Sequence, residues 1–416
     1  KPILSILQTN HYQENPMDNP VRQDVCFPEI TAMYDELKEF RRDIHAHPEC
    51  GFETERTIGK IREFLLSHGV AEKDIDTTTS KGSLFALIGG SKPGKTVALR
   101  ADIDALKMKD FGGKPWSSQV EGRCHACGHD GHQTWLLGAA AYLAAHRDFV
   151  GRVLCVFQAA EETGQGALAI VNSGALEKYQ VAEIIGAHDE PGLKKGQIGF
   201  KVGHIQAASD SFAIKLIGKG THGGRPHQGV DPIPAASELY QALQTIVSRK
   251  VDPLESAVVS ICYFSAGMVG TYNVVPGEVQ LGGTVRTFLP ELRDLCETTI
   301  RRMAEGIALA HGLTAEVDYI RLIPSVNNDK EMTESAIKLV TEMLGEENVN
   351  PSIGPYMSSE DFSRYQAKIP GTICRIGIVD DEHKTPLHNP KFDFNDEVLP
   401  LASTVLAKLA LSRLAK

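Results

Sequence analysis

Between residues 122 and 132 the chain reads Gly-Arg-Cys-His-Ala-Cys-Gly-His-Asp-Gly-His, a run that sets Cys124, His125, Cys127, His129, Asp130 and His132 within a few positions of one another. Thiol, imidazole and carboxylate are the groups that give lone pairs to a borderline-soft divalent ion such as zinc, manganese or cobalt. A fold that accepts this run must bring it to a place where such donors converge. The plain alternative is a polar loop that happens to carry two thiols.

A second acidic signal follows. The apolar run Val153-Leu154-Cys155-Val156-Phe157-Gln158 reads as a buried strand and leads into Ala160-Glu161-Glu162-Thr163-Gly164. Adjacent carboxylates at a strand end repel unless a cation or proton sits between them. Because the backbone turns there, one Glu can hold a metal while the other addresses the attacking water. Taken alone, the pair also reads as exposed acids on a loop. His188 ends the apolar run Ile184-Ile185-Gly186-Ala187, and His388 lies in Pro386-Leu387-His388-Asn389-Pro390. Each by itself is equally a hydrogen-bonded structural histidine.

Five ordered blocks together carry a resemblance. They are Arg41-Arg42-Asp43-Ile44-His45-Ala46-His47-Pro48-Glu49, Arg100-Ala101-Asp102-Ile103-Asp104-Ala105-Leu106, His125-Ala126-Cys127-Gly128-His129-Asp130, Gln158-Ala159-Ala160-Glu161-Glu162 and Leu387-His388-Asn389-Pro390. Over residues 35–412 the chain resembles the M20 metallopeptidases, above all the amidohydrolases that split hippurate, auxin conjugates and other N-acyl amino acids. The resemblance implies a hydrolase using one or two divalent ions (manganese, zinc, cobalt or nickel), with Cys127 bridging and His129, Glu162, His188 and His388 as the other ligands. It implies Glu161 as general base and Asp102 as the acid that orients the site. Gly218-Lys219-Gly220-Thr221-His222 resembles the family's lid motif, which makes His222 the group that polarises the substrate carbonyl, often across a dimer interface; a turn-capping histidine is the alternative. Asn273 and Arg286 fall where relatives bind the substrate carboxylate, although Arg286 reads equally as an exposed strand residue. Cys124 is spaced from Cys127 as C-x-x-C, so a ligand role for it stays open.

The chain departs from the family pattern at Lys107, Ala159, Asp189, Cys124 and Thr221. Most of these changes concern the walls of the pocket more than the metal ligands. The expected reaction is hydrolysis of the amide bond of an N-acyl amino acid or related small amide. Hydrolytic deamination at a non-amide carbon, such as an amine-bearing aromatic or amidine carbon, and an inactive metal-binding protein are the alternatives.

Length and patterning bear on architecture. A chain of 416 residues exceeds the size at which one core keeps growing, and 42% hydrophobic residues supply two. Residues 31–68 read as helical. Apolar runs at 83–88, 96–100, 153–158 and 184–187 alternate with helical stretches such as 134–145, which predicts an α/β fold with a largely parallel or mixed sheet covered by helices; the resemblance makes this a mixed-sheet α/β/α two-metal hydrolase domain. From residue 212 a strand, helix, strand, strand, helix, strand pattern reads as a smaller α+β insert, which the resemblance makes a lid or dimerisation domain. The expected division is residues 1–207 and 322–416 as one discontinuous catalytic domain and 208–321 as the insert, with residues 1–30 as an extended arm.

A net charge of −10 without a basic tract argues against nucleic acid and anionic membranes as partners. No apolar run approaches a membrane span, and residues 1–30 lack the apolar core of a signal peptide. The eight scattered cysteines suit a reducing compartment, so a cytoplasmic location is expected. Cys155, Cys262 and Cys374 read as small core hydrophobes. The expected partners are a small-molecule substrate and further copies of the chain, in a homodimer or higher homo-oligomer.

Overall fold

A computed structural model of the protein describes residues 22–415. Its larger sheet has eight strands in the order Ile75–Asp76, Leu84–Gly89, Val150–Gln158, Lys92–Asp102, Val181–Lys194, Gly371–Val379, Ile198–Gly199 and Val349–Asn350. The middle of this sheet is parallel: Lys92–Asp102 pairs with both Val150–Gln158 and Val181–Lys194, and the latter pairs with Gly371–Val379. Strands buried on both faces must be apolar throughout, and Val97, Ala98, Leu99, Val153, Leu154 and Val156 are all buried. Apolar residues on one side of the sheet join the helices Tyr34–Ala46, His129–Ala145 and Leu399–Leu414 in one core; those on the other side, including Ala98, Leu154 and Val156, form another with Ile170 and Phe362.

The helix His129–Ala145 is buried on nearly every face, as expected for a helix that is apolar all round. It packs against Tyr34–Ala46 and Leu399–Leu414. At Gly138 a Cβ would sit 2.4 Å from the Ser403 hydroxyl, so the absent side chain sets how closely the last helix approaches.

The smaller domain has a four-stranded antiparallel sheet in the order Ala257–Ala266, Glu278–Thr287, Ala208–Ile217 and Thr314–Ile323. The helices Pro232–Arg249 and Pro290–Ala310 cover one face and close a separate core around Leu216, Leu239, Leu243, Val279 and Ile300. Asp231 caps the first helix by accepting from the Ile233 N–H, with Pro232 in the first turn where no donor is needed. The chain enters and leaves this domain through two short strands, Gly203–Gln206 and Val326–Asn328, paired antiparallel.

Three expectations need correction. Residues 31–68 are two helices, Tyr34–Ala46 and Glu55–Ser67, separated by a loop containing Pro48, whose missing N–H and fixed φ oppose a continuous helix. Of the extended arm at 1–30, residues 1–21 lie outside the described residues. The remainder is not an arm: Pro28–Ala32 is helical, Cys26 and Ile30 are buried, Phe27 stacks on Tyr142 at 3.8 Å, and its N–H donates to Thr404 Oγ1. The physical reason is the apolar trio Cys26, Phe27 and Ile30, which gains more by covering the last helix than by staying in water. Cys155 and Cys374 are core residues, but Cys262 is exposed, at a register shift on an edge strand. Among the described residues no helix is long and apolar enough to cross a membrane.

Candidate active site

Parallel strands deliver their carboxyl ends to one edge of the larger sheet, the position where open α/β sheets bind ligands. Asp102 ends the central strand and Asp104 follows it. Glu161 and Glu162 follow Val150–Gln158, and His188 lies in Val181–Lys194. The Cys-His run supplies Cys127 and, one residue past a glycine, His129 at the start of its helix. Gly128 has φ 78°, and a Cβ there would stand 2.7 Å from the Asp189 carboxylate. Only glycine satisfies both constraints. His388 arrives from the opposite end of the chain, tied to the loop by its N–H donating to Ala126 O at 2.7 Å.

Two groups of donor atoms result, Cys127 with His129 and His188, and Cys127 with Glu162 and His388, the atoms of each lying within 4.8 Å of one another. Cys127 Sγ stands 3.6 Å from His188 Nε2 and 3.3 Å from His388 Nε2, and His388 Nε2 is 3.6 Å from Glu162 Oε2. His129 Nδ1 donates to Asp104 O at 2.8 Å and His188 Nδ1 to Asp189 O at 2.7 Å. Each bond fixes the tautomer and turns an Nε2 lone pair inward. Buried polar atoms normally find partners, yet His129 Nε2 and Glu162 Oε1 have none. Soft and hard donors with two orphaned lone-pair atoms fit one or two divalent cations.

The electrostatics agree. Burial pushes the Glu162 carboxyl up to about 7 against the opposing pull of His129. Burial, Glu360 and Glu162 together drive Glu161 well above the usual carboxylate range. Carboxyls crowded in this way mark a site built around positive charge. The local backbone is held in an unfavourable conformation too: Ala160 and His388, neither a glycine, both have φ 58°. Each costs about 1 kcal/mol or more and persists only because its surroundings impose it.

Several residues of the site are given no individual role by the sequence. Asp104 accepts from the N–H groups of Glu161 and Glu162 and so shapes the turn that carries them. His132 spans Asp102 Oδ1 at 2.6 Å and Asp189 Oδ1 at 3.0 Å, so both ring nitrogens are engaged. The Arg100 guanidinium reaches Asp102, Glu360 and Asp361 at 2.7–3.0 Å. Asp104 lies two residues past Asp102 at the strand end and His132 follows His129 by three on a helix, so spacing from residues already singled out could have flagged both. Glu360 and Asp361 are remote in sequence and could not have been found that way.

The donor groups open onto a cleft of about 550 Å³ lined by Cys127, Glu161, Glu162, His188 and His388, with Arg286 among the lining residues from the smaller domain. Asp102 and His129 lie behind that surface, fully buried; His129 Nε2 is 3.8 Å from Asp102 Oδ2 and 4.0 Å from Glu161 Oε2. His222 and Asn273 are not brought there. They sit exposed on facing segments of a two-stranded ribbon, where Gly223 N donates to Asn273 O and Gly224 N to His222 Nδ1.

Residues 98–412 match the model of peptidase family M20/M25/M40. The chain is 38% identical to the N-acetylcysteine deacetylase of Bacillus subtilis over 91% of its length and 97% of that protein. It is 36% identical to the hippurate hydrolase of Campylobacter jejuni over 93% and 99%. Among solved structures, a dinuclear metal-binding peptidase of the M20 family from Bacillus subtilis superposes with a TM-score of 0.81 at 35% identity, covering 92% of this chain and 99% of that one. With this likeness running through both domains and the donor set intact, the chain belongs to peptidase family M20/M25/M40 and is a metal-dependent amidohydrolase.

Proposed function

We propose that the protein hydrolyses the amide bond of small N-acyl amino acids, with Glu161 as general base. One observation carries the reading: Glu161 borders the two donor groups that share Cys127, at the base of a cleft sized for a small molecule. The printed activities of the deacetylase and hippurate hydrolase relatives point to the same substrate class.

In this reading Cys127, His129, Glu162, His188 and His388 would hold one or two divalent ions, Cys127 being common to both donor groups, and Asp102 would help orient the set through His132. Divalent ions held there would polarise the scissile carbonyl and favour deprotonation of water. Glu161 takes a proton from the attacking water and delivers it to the departing amine, a transfer its raised proton affinity suits. Arg286 and Asn273 hold the substrate carboxylate, and His222 donates to the oxyanion as it forms.

We further propose that residues 208–321 are a lid and dimerisation domain inserted into a catalytic domain made of 1–207 and 322–416. Exposure of His222 and Asn273 in the single chain is accounted for if they serve the site of a second copy. Tyr263 and Phe264 on the edge strand, and Met268, Val269, Tyr272 and Val274 beyond it, expose an apolar surface such as dimers cover. The test is a panel of N-acyl amino acids and aromatic amines incubated with metal-reconstituted protein. Release of the free amino acid is expected; release of ammonia from a non-amide substrate, with the acyl amino acids untouched, would refute the proposal.

A further inference from the structure

Four arginines are buried in this protein, and three of them follow one rule. Arg41 is bound by Asp396 and Asp130, Arg100 by Asp102, Glu360 and Asp361, and Arg413 by Glu183 and Glu331. Arg375 is the exception. Only 3% exposed, its guanidinium makes no hydrogen bond or ion pair among the described residues, and its Nε is fully buried without a partner. A guanidinium kept at the cleft wall with no acid to pair it is costly, so a chain that keeps one has a use for it.

The position of Arg375 says what that use is. It lies on the strand Gly371–Val379 directly opposite His188 on the neighbouring strand, and it lines the cleft above the donor groups. Its guanidinium stands 5.3 Å from the centre of the Tyr356 ring. Of the acids lining the cleft on the catalytic side, none pairs with Arg375: Glu190 accepts from the Gly192 N–H at 2.8 Å, Glu360 is held by Arg100 at 3.0 Å, and Glu161 and Glu162 belong to the site below. Across the cleft the Arg286 guanidinium donates to Thr284 Oγ1 and Val285 O. The cleft therefore has a guanidinium on each domain's wall, and the one on the catalytic wall has all its donors unclaimed.

We propose that Arg375 binds a carboxylate of the substrate in addition to the one taken by Arg286. The preferred substrates are then N-acyl amino acids with a second carboxylate, on the amino-acid side chain or on the acyl group. This rests on the amide-hydrolysis reading above and narrows it. A planar guanidinium with free parallel donors matches a carboxylate bidentately.

The test measures kcat/KM of the metal-loaded protein on two pairs of compounds, N-acetyl-L-glutamate against N-acetyl-L-glutamine, and N-succinyl-L-methionine against N-butyryl-L-methionine. Wild type should favour the acidic member of at least one pair by about 10- to 100-fold, the range of a hydrogen bond to a charged group. That ratio should collapse in Arg375→Met and recover in part in Arg375→Lys. No acidic preference in either pair, or a preference that survives Arg375→Met, overturns the proposal. Should Arg375→Met not fold, the wild-type ratios and Arg375→Lys still decide it. Should neither pair be hydrolysed, the amide reading fails by itself. The subsite is then judged by thermal shift with glutarate against butyrate: stabilisation by glutarate that Arg375→Met abolishes upholds it, and equal shifts for the two acids overturn it.

Discussion

The floor of the cleft and the ribbon of the smaller domain carry the residues of one proposed reaction in opposite physical states. On the floor, Asp102, His129, His132 and Asp189 are fully buried; His132 is held between the Asp102 and Asp189 carboxylates, and His129 is oriented by its bond to Asp104 O, which leaves its Nε2 unpartnered. On the ribbon, His222 and Asn273 are exposed, and among the described residues the His222 ring is held by one hydrogen bond, from Gly224 N. The floor is organised by the chain that contains it, whereas the ribbon presents its groups outward. The difference teaches that preorganisation is concentrated where charge must be held steady; under the proposed function, the ribbon's groups would act only on approach by another surface.

The largest effect expected from breaking this division is at Glu161. Glu161→Gln should lower kcat by about 10²–10⁴ with metal content unchanged, because the amide cannot accept water's proton. Glu162→Ala should lose metal as well as turnover. Equal metal content in the two variants, measured after dialysis, would show that the floor does not separate base from ligand.

On the ribbon, His222→Ala should lower kcat by about 10²-fold, with little change in KM or metal content, since the interaction strengthens as the oxyanion forms. If the ribbon serves a second copy, mixing inactive Glu161→Gln with inactive His222→Ala protein should restore activity in hybrid dimers. Proven subunit exchange without regained activity would reject the trans arrangement.

A smaller effect sharpens the description of the floor. Cys127→Ser should weaken metal retention against a chelator more than Cys124→Ser, since Cys127 belongs to both donor groups at the cleft while Cys124 neighbours His45 and Asp110 away from it. The reverse order would move the metal site.

The smallest concerns pH and lies beneath the floor. Burial lowers the proton affinity of His45, but Asp130 and Asp110 outweigh it and raise the pKa to about 9. A raised folded-state pKa adds stability that is fully present below the unfolded value of about 6.5 and disappears as pH climbs through the folded one. The melting-temperature gap between wild type and His45→Gln should therefore be widest near pH 6 and narrow towards pH 9.5 and above. A gap independent of pH would mean that His45 is neutral where it sits.

The legible parts of this molecule are those whose signal is local. Strand ends, the helix that begins at His129, and the alternation of strand and helix in the smaller domain all follow from periodicity, because burial on a face imposes a repeat. Individual donor residues are legible for the same reason: the 122–132 run and the Glu161–Glu162 pair are dense in sequence as well as in space. Glu360, Asp361 and Arg375 were not legible, since their meaning comes from segments far apart in sequence that only the folded sheet brings together. The segment 22–30 was misread because polar residues before it set an expectation that three apolar side chains override.

The strand order has a consequence for how the protein is made. Gly371–Val379 is hydrogen-bonded to Val181–Lys194 and also to Ile198–Gly199, yet it is translated only after the whole smaller domain. His388 follows later still. A ribosome therefore releases Cys127, His129, Glu162 and His188 long before the strand that walls the cleft and the last donor exist. The smaller domain, with its own core, can fold in the interval. If the proposed ligand set holds, full ion loading waits for His388, and a nascent chain stalled before residue 371 should leave Cys127 more reactive towards thiol reagents than the folded protein does.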